Sequence, residues 1–266
     1  MTGGAFLETV GLVAPGLPTW EHAEAVLTGR RDIDPAIDES TLAPPAPQSL
    51  PANERRRAPL QVLVALAAAE SLLARTAFAV PDTPSVFASS DADMSIMHRI
   101  CVALAEPARM VSPTDFHNSV HNAPAGYWGI AARATRSATT LSAFDATAIA
   151  GLRECLALIE DGAPAALLVL CDVPAPVPLL EKRPMHAPCG IALMLVRDAL
   201  GTRPARISFD DGHAETPMSH PRLERLRLGN PAARVLPILE AVAKQESRTV
   251  GLRAEDDRLA GVRVQF

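Results

Sequence analysis

The side chains best placed to do chemistry surround one tight turn, Ser142-Ala143-Phe144-Asp145-Ala146, between a short β-prone run and a long helix. In enzymes, such strand-turn-helix junctions often present a nucleophile at the amino end of the helix. This turn contains no cysteine, and its serine has no basic neighbour in the sequence. Asp145 directly precedes the helix, where a carboxylate accepts backbone amide hydrogen bonds, so its structural interpretation is an N-cap.

Two further pairs of side chains have the spacing of metal ligands. His117 and His121 lie four residues apart and would share one helix face, but the glutamate of the His-Glu-x-x-His zinc motif is missing between them. Asp91 and Asp93 precede a predicted helix, where N-capping explains carboxylates better than a divalent cation does. Phosphate-loop, dinucleotide-turn and Gly-x-Ser-x-Gly motifs are also missing, so we expect no metal and no cofactor.

Composition limits the remaining function classes. With a net charge of −5, the chain lacks the excess of positive charge that is typical of nucleic-acid-binding proteins. Its longest apolar run, 163–171, is far shorter than the about 20 residues that are needed to span a bilayer. Most of the cysteines lie in apolar segments, as structural thiols do, and we expect a cytoplasmic protein. They are Cys101, Cys155, Cys171 and Cys189.

Hydrophobic periodicity predicts the elements that must position the turn. With 48% hydrophobic residues, the chain can form a sizeable α/β core. Strands are predicted over 6–13, 85–89, 137–141, 165–170, 189–197 and 206–209, and a carboxyl-terminal hairpin over 248–253 and 259–266 around an acidic turn at 255–257. Helices are predicted over 20–28, 60–77, 94–105, 116–127, 146–160 and 231–244, with a bend at Pro124 and a basic run at 55–57 opening the second helix. The run 165–170 has the continuous apolarity of a central parallel strand, and 210–213 is predicted to be a turn.

Two stretches of this pattern resemble the β-ketoacyl synthases, which have the thiolase-like fold. The first is VGLVAPGLPTWEHAEAVLTGRRDI at 10–33, similar to that family's opening strand, Pro/Gly turn and helix. The second is 111–173, where Asn122-Ala123-Pro124-Ala125-Gly126 precedes a strand, the turn and a long helix ending at Gly162. The resemblance implies a layered α-β-α fold with an abbreviated carboxyl-terminal half. We expect an amino-terminal domain over 1–200 and a truncated remainder over 201–266.

The resemblance also implies roles for individual residues. Ungapped counting places Asp145 where the family carries its catalytic cysteine, and one insertion would make that residue Phe144. Both catalytic histidine motifs of the family are missing, so no catalytic residue is expected. In the family, the strand before the turn pairs across a dimer axis and the preceding helix lines the partner's acyl tunnel. Those roles fall on Phe116, Ser119, Val120, Ser137, Ala138, Thr139, Thr140, Leu141 and Phe144.

A ketosynthase fold without its reactive residues resembles a chain-length factor. Such a subunit pairs with an active ketosynthase in type II polyketide or fatty-acid biosynthesis, shapes the acyl tunnel and meets the acyl carrier protein only indirectly. The helix His121-Asn122-Ala123-Pro124-Ala125-Gly126-Tyr127-Trp128 resembles the partner subunit of aryl polyene systems. Two alternatives stay open: a stand-alone acyl-transfer or thioester-hydrolysing enzyme using Asp145 or an exposed cysteine, and a scaffold that never touches the acyl chain.

Overall fold

The computed structural model describes residues 3–202, 204–211, 214–254 and 259–266. Strands in this part of the chain are Gly4–Val13 (β1), Ser85–Ala88 (β2), Ala138–Leu141 (β3), Ala165–Asp172 (β4), Cys189–Val196 (β5), Ala205–Asp210 (β6), Arg248–Arg253 (β7) and Leu259–Gln265 (β8). Over the described residues, these eight strands form one mixed sheet in the order β3-β2-β4-β5-β1-β6-β8-β7. The carboxyl-terminal strands therefore extend the same sheet, and the domain division at residue 200 stays a prediction.

Helices cover both faces of this sheet. They are, within the described ranges, Trp20–Leu27 (α1), Ala52–Arg55 (α2), Leu60–Leu73 (α3), Met94–Ala105 (α4), Pro113–Asn118 (α5), Ala123–Ala132 (α6), Thr147–Glu160 (α7), Leu179–Lys182 (α8), Pro221–Gly229 (α9) and Leu236–Lys244 (α10). One core cluster contains the buried residues of α1, α7, α9 and α10, and a second contains those of α3 and α6. The predicted layered α-β-α fold is confirmed. None of the described helices is long and apolar enough to cross a membrane.

The central strand β4 shows how the sequence produces these two layers. Alternate side chains of a strand point to opposite faces, so Leu168 and Leu170 join the α7 side while Leu167 and Val169 join the α3 side. The strand is buried on both faces, as its apolar run predicts. It pairs parallel with β2 but antiparallel with β5, so the parallel environment predicted for it is correct on one side only. The reason is that the connection to β5 returns along the same sheet without a crossover.

Local capping explains where several helices begin. The Thr19 hydroxyl accepts a hydrogen bond from the His22 amide at 3.3 Å, and α1 begins at the next residue, as predicted. Asp93 caps α4 through the Ser95 amide at 3.0 Å, which confirms the capping interpretation of that carboxylate. These contacts satisfy amides that have no partner inside the helix.

The helix predicted over 116–127 is wrong, because two helices occupy this segment. Helix α5 ends at Asn118 and α6 begins at Ala123, so the break precedes Pro124 and does not lie at the proline. Pro124 lies in the first turn of α6, where its missing N–H has no intrahelical partner to lose. His117 and His121 consequently lie on different elements and do not share a helix face.

Several other boundaries also differ from the prediction. The basic run at 55–57 does not open a helix, since α2 ends at Arg55 and α3 begins after Pro59. Helix α3 ends at Leu73, α10 begins only at Leu236 after a 3₁₀ turn, and α9 was not predicted at all. The β7–β8 hairpin is confirmed by its antiparallel pairing. Residues 212–213 of the predicted turn and the whole acidic turn at 255–257 lie outside the described residues.

Candidate functional site

The turn between β3 and α7 is held in a conformation that its residues do not favour. Phe144 has a φ of +50°, in the left-handed region that bulky residues rarely adopt, and it opens a 3₁₀ turn, Phe144–Ala146. The buried Thr147 hydroxyl donates to the Phe144 carbonyl at 2.6 Å and accepts from the Ala143 amide at 3.0 Å. The Ser142 hydroxyl donates to the Ser90 carbonyl at 2.6 Å. These bonds fix the turn and leave the Phe144 side chain 60% exposed.

Asp145 does not cap α7, so the N-cap interpretation is wrong. Residues 144–146 form a 3₁₀ turn before the helix, and no side chain in the described part of the chain caps either element. The carboxylate instead accepts hydrogen bonds from Arg183 Nη2 at 2.7 Å and from Arg234 Nη2 at 3.1 Å. Two guanidinium groups attract the carboxylate more strongly than the helix amides do, because these bonds join full charges of opposite sign.

Arg183 connects three loops at the head of α7. Its Nε donates to Asp91 Oδ2 at 2.8 Å, its Nη2 donates to Ser90 Oγ at 2.7 Å, and its guanidinium carbon lies 3.8 Å from the centre of the Phe144 ring. Burial disfavours its charge, but the hydrogen bonds to Asp91 and Asp145 outweigh burial and raise its pKa. Asp91 is therefore an ion-pair partner of Arg183.

The charged cluster continues toward the carboxyl-terminal residues. Arg234 lies 3.8 Å from Glu215, which Arg227 contacts at 2.6 Å. Burial lowers the pKa of Arg234. Arginine remains protonated near neutral pH, and the carboxylates of this cluster are its ion-pair partners. Sequence reasoning missed these arginines, since nothing in their local sequence distinguishes them from surface residues.

No described cysteine lies at the head of α7. The thiols of Cys155, Cys171 and Cys189 are buried, and burial raises the pKa of each, which makes them poor nucleophiles. Their predicted structural role is consistent with this burial. Cys101 is exposed, but it lies on α4 and not in the turn.

A buried polar cluster lies behind the turn, at the carboxyl ends of β2 and β4. Asp172 Oδ1 accepts from the Ser89 hydroxyl at 2.9 Å and from the Ser90 amide at 2.7 Å, and Gln61 Nε2 donates to Ser89 Oγ at 2.7 Å. The other oxygen, Asp172 Oδ2, is buried and has no hydrogen-bond partner among the described residues. Burial raises the pKa of Asp172 to about 7. A single acid ending a long apolar run was the only sequence signal for this group.

The histidine pair predicted to share a helix face does not form a site. His121 Nε2 lies 3.3 Å from the Ser89 carbonyl oxygen, whereas His117 is exposed on α5. Among the described residues, no three His, Cys, Asp or Glu side chains are grouped so that they could hold a metal ion.

The residues assigned to the tunnel and the interface lie at one edge of the sheet. Strand β3 pairs with β2 alone in the described part of the chain, so its other side is an open edge. Phe116 and Val120 are 70% and 52% exposed, and the Ser119 hydroxyl bonds the Phe116 carbonyl at 2.8 Å. Ser137 and Ala138 are exposed, whereas Thr139, Thr140 and Leu141 are partly buried. These side chains therefore form a surface here, and Thr140 also lines a small cavity of about 10 Å³ beside β2 and β4.

Exposed apolar side chains are concentrated in the stretch of the chain that contains this edge strand. Of the fourteen large hydrophobic side chains exposed among the described residues, eight lie within 97–144. Helix α4 is apolar in composition yet buries only Ile96. We call this group the apolar face; it consists of Met97, Val102, Leu104, Met110, Phe116, Val120, Ile130 and Phe144.

A separate cleft of about 680 Å³ lies between α1, α3 and the loop over 31–48. Val13, Val26 and Leu42 line it, together with His22 and Glu70. The residues of the turn and of β3 are not among those lining it, so this cleft and the turn are distinct features.

Comparisons with known proteins bear on the fold. Residues 31–254 match a family model described as the N-terminal domain of β-ketoacyl synthase. No curated protein sequence matches the chain. Among solved structures, the complex of the ketosynthase ApeO with its chain length factor ApeC from Xenorhabdus doucetiae contains a chain with a TM-score of 0.74 and 22% identity, with 98% of this chain and 99% of that chain covered.

Two further structures are similar at lower identity. The ishigamide ketosynthase/chain length factor has a TM-score of 0.74 and 13% identity, with 99% of both chains covered. The AntDE:AntF complex, a type II acyl-carrier protein with its ketosynthase bound to the hexaketide, also has a TM-score of 0.74 and 13% identity, with 100% of this chain and 99% of that chain covered. At these identities the likeness concerns the fold.

Proposed function

The chain belongs to the β-ketoacyl synthase family, and from this premise we propose that it is a non-catalytic chain-length factor. In this role it pairs with an active ketosynthase subunit, closes the far end of that subunit's acyl tunnel and meets the acyl carrier protein only through the complex. We place this role in the cytoplasm, where the free thiols of all four cysteines are stable.

The head of α7 is the observation that carries the proposal. Condensation in this family needs a thiolate at this position to hold the acyl chain as a thioester, and two histidines to stabilise decarboxylation and the enolate. Here Phe144 projects from the turn, and Asp145 is paired with Arg183 and Arg234. An aromatic ring and ion pairs occupy the position that the nucleophile would need. The functions that remain for this fold are to shape the acyl tunnel and to bind the partner subunit.

The open edge of β3 and the apolar face support a partner. An exposed strand edge offers unpaired amides and carbonyls to another chain, and a high density of exposed apolar residues in one stretch of the chain favours an interface there. Two of the similar structures are described as a ketosynthase with a chain length factor. A stable interface of this kind typically buries more than about 2,000 Å².

Thiol labelling during complex formation tests this proposal. Cys101 is the exposed cysteine, whereas Cys155, Cys171 and Cys189 are buried, so a thiol reagent applied to the native chain should label one site. The chain is co-expressed with each cysteine-containing ketosynthase of its source organism, and the complexes are isolated by size exclusion. We expect a heterodimer in which Cys101 is protected. A monomeric chain that gains nothing from any ketosynthase would contradict the proposal.

Assays of the isolated chain separate the proposal from the enzymatic alternative. Incubation with acyl-carrier and acyl-thioester substrates should give neither turnover nor a covalent acyl adduct detectable by mass spectrometry. Turnover that is lost in the Asp145→Asn variant would favour a stand-alone acyl-transfer or hydrolytic enzyme.

The tunnel role assigned to Phe116, Ser119 and Val120 belongs to the same proposal, as does an aryl polyene-like pathway. The bulky Ser119→Trp variant should shorten the products of the intact complex, because the added ring would occupy the end of the tunnel. Unchanged products from an intact complex would favour a pure scaffold.

A further inference from the structure

Phe144 combines three properties that a structural role alone does not explain. It is a bulky residue with a φ of +50°, its ring is 60% exposed, and both conditions hold in a turn that is otherwise tightly hydrogen-bonded. Left-handed backbone is costly for a residue with a Cβ and persists where the surroundings impose it, often at functional positions. An exposed ring at such a position contributes little to the core, so stability alone would favour glycine here.

The surroundings hold the ring in one place. Arg183 lies over one face of the ring at 3.8 Å, while its own position is fixed by Asp91 at 2.8 Å and by Asp145 at 2.7 Å. Asp145 is held in turn by Arg234 at 3.1 Å. A guanidinium over an aromatic face is an attractive contact, and here it covers only one side of the ring.

The position of Phe144 in the chain favours a partner subunit on the uncovered side of the ring. Phe144 follows the open edge strand β3 by three residues and belongs to the apolar face. Rigid aromatic side chains at an interface are frequent energetic anchors, because little conformational freedom is lost when they bind. A side chain fixed before binding therefore costs less to bury than a flexible one.

We propose that Phe144 is a pre-positioned aromatic anchor for the partner ketosynthase subunit, and that Arg183 and Asp145 are its positioning residues. This inference rests on the proposed function, since it assumes that the apolar face is covered by that subunit. The partner contributes an apolar recess that receives the uncovered face of the ring, and the arginine remains on the opposite face. The charged cluster at the head of α7 thereby holds an interface residue in place.

The test uses two substitutions that remove the same ring with different backbone consequences. In the Phe144→Gly variant the left-handed turn is relaxed, whereas in Phe144→Ala the Cβ that makes it unfavourable is retained. We expect both variants to weaken the Kd for the ketosynthase subunit by at least about tenfold, measured by titration calorimetry. We also expect the Tm of Phe144→Gly to equal or exceed that of Phe144→Ala. Wild-type affinity in either variant would overturn the proposal.

Matched controls distinguish an anchor from general surface effects. Phe266→Ala removes another exposed ring, which lies after β8 and away from β3 in the sheet order, and it should leave the Kd unchanged. An equal loss of affinity in this control would contradict a specific role for Phe144.

The positioning role has its own test. Arg183→Met should weaken the Kd, and the double variant Arg183→Met/Phe144→Ala should bind no more weakly than Phe144→Ala alone, because both changes act through one contact. If the methionine variant does not fold, Arg183→Lys retains the charge but loses the planar stacking surface. Additive losses would show that Arg183 acts independently of the ring. If the wild-type chain binds no ketosynthase at all, the proposed function fails, whereas a stable complex indifferent to Phe144 refutes this inference alone.

Discussion

The two edges of the sheet differ in whether another segment of the described chain covers them. At the far edge, β7 is flanked by the segment around Glu215: the Thr216 amide donates to the Gly251 carbonyl at 2.9 Å, and the Gly251 amide donates to Thr216 Oγ1 at 3.0 Å. At the near edge, β3 pairs with no strand other than β2 among the described residues, and the residues of the apolar face precede and follow it in the chain. Unprotected edges invite association with other chains. The contrast supports the proposal that the near edge takes a partner, since the chain closes the other edge by itself.

Charge placement follows the same division. At the closed edge, the buried Arg227 is bound by Glu215 at 2.6 Å and by Glu224 at 2.7 Å, which anchors the segment that covers β7. Near the open edge, the ion pairs of Arg183 fix the turn and not the strand. At the closed edge the ion pairs attach a covering segment to the sheet, whereas near the open edge they fix the conformation of an exposed turn.

The most damaging change for the open side should be the double variant Val102→Asp/Leu104→Asp. These side chains are 49% and 51% exposed, so the isolated chain should retain its stability. Burying two carboxylates in an apolar interface should weaken partner binding by more than about 100-fold. Analytical ultracentrifugation of the mixed subunits measures the loss. Leu228→Asp, a matched change on α9 at 55% exposure, should bind normally; a comparable loss there would remove the contrast between the two sides.

The largest effect on stability is expected at the closed edge, from Arg227→Met. This substitution leaves two partly buried carboxylates without their main cation, and the free energy of unfolding should fall by about 3 kcal/mol in urea titrations. Arg225→Met serves as the control, because its ion pair with Glu39 is 54% exposed on the arginine side and its loss should change stability much less. Equal effects of the two changes would show that Arg227 does not anchor the closed edge.

A smaller effect should appear in the pH dependence of stability. Asp172 binds a proton more tightly when folded, since burial raises its pKa to about 7, so the stability that it contributes is present at low pH and is lost as pH rises through that value. Relative to Asp172→Asn, the wild type should lose about 2 kcal/mol of unfolding free energy between about pH 5 and pH 7. Parallel pH curves for the two proteins would rule out this titration.

The closed edge should respond to pH in the opposite sense. The hydrogen bond with Arg227 lowers the pKa of Glu224, so the stability contributed by this pair is present above the ordinary glutamate range and is lost as pH falls. In the Arg227→Met variant the loss below about pH 4.5 should be smaller than in the wild type. Urea titrations across that pH range measure this loss of unfolding free energy. An equal loss in the variant and the wild type would contradict the role of the Arg227–Glu224 pair.

The sequence alone was sufficient to predict the structural features that depend on residues close together in the chain. The start of α1, the cap at Asp93, the burial of β4 on both faces and the missing thiol in the turn were all predicted from the sequence, because each involves residues within a few positions of one another. Even there, the break between α5 and α6 was misplaced, since Pro124 is equally acceptable in a first helical turn.

Only the tertiary structure decided the role of Asp145. Its partners Arg183 and Arg234 lie 38 and 89 residues further along the chain, and no local pattern distinguishes an N-cap from an ion pair formed across such distances. The same holds for the two edges, because strand order is a property of the whole sheet. Short-range hydrogen bonding determines where elements begin, whereas long-range electrostatics and packing determine which side chains meet.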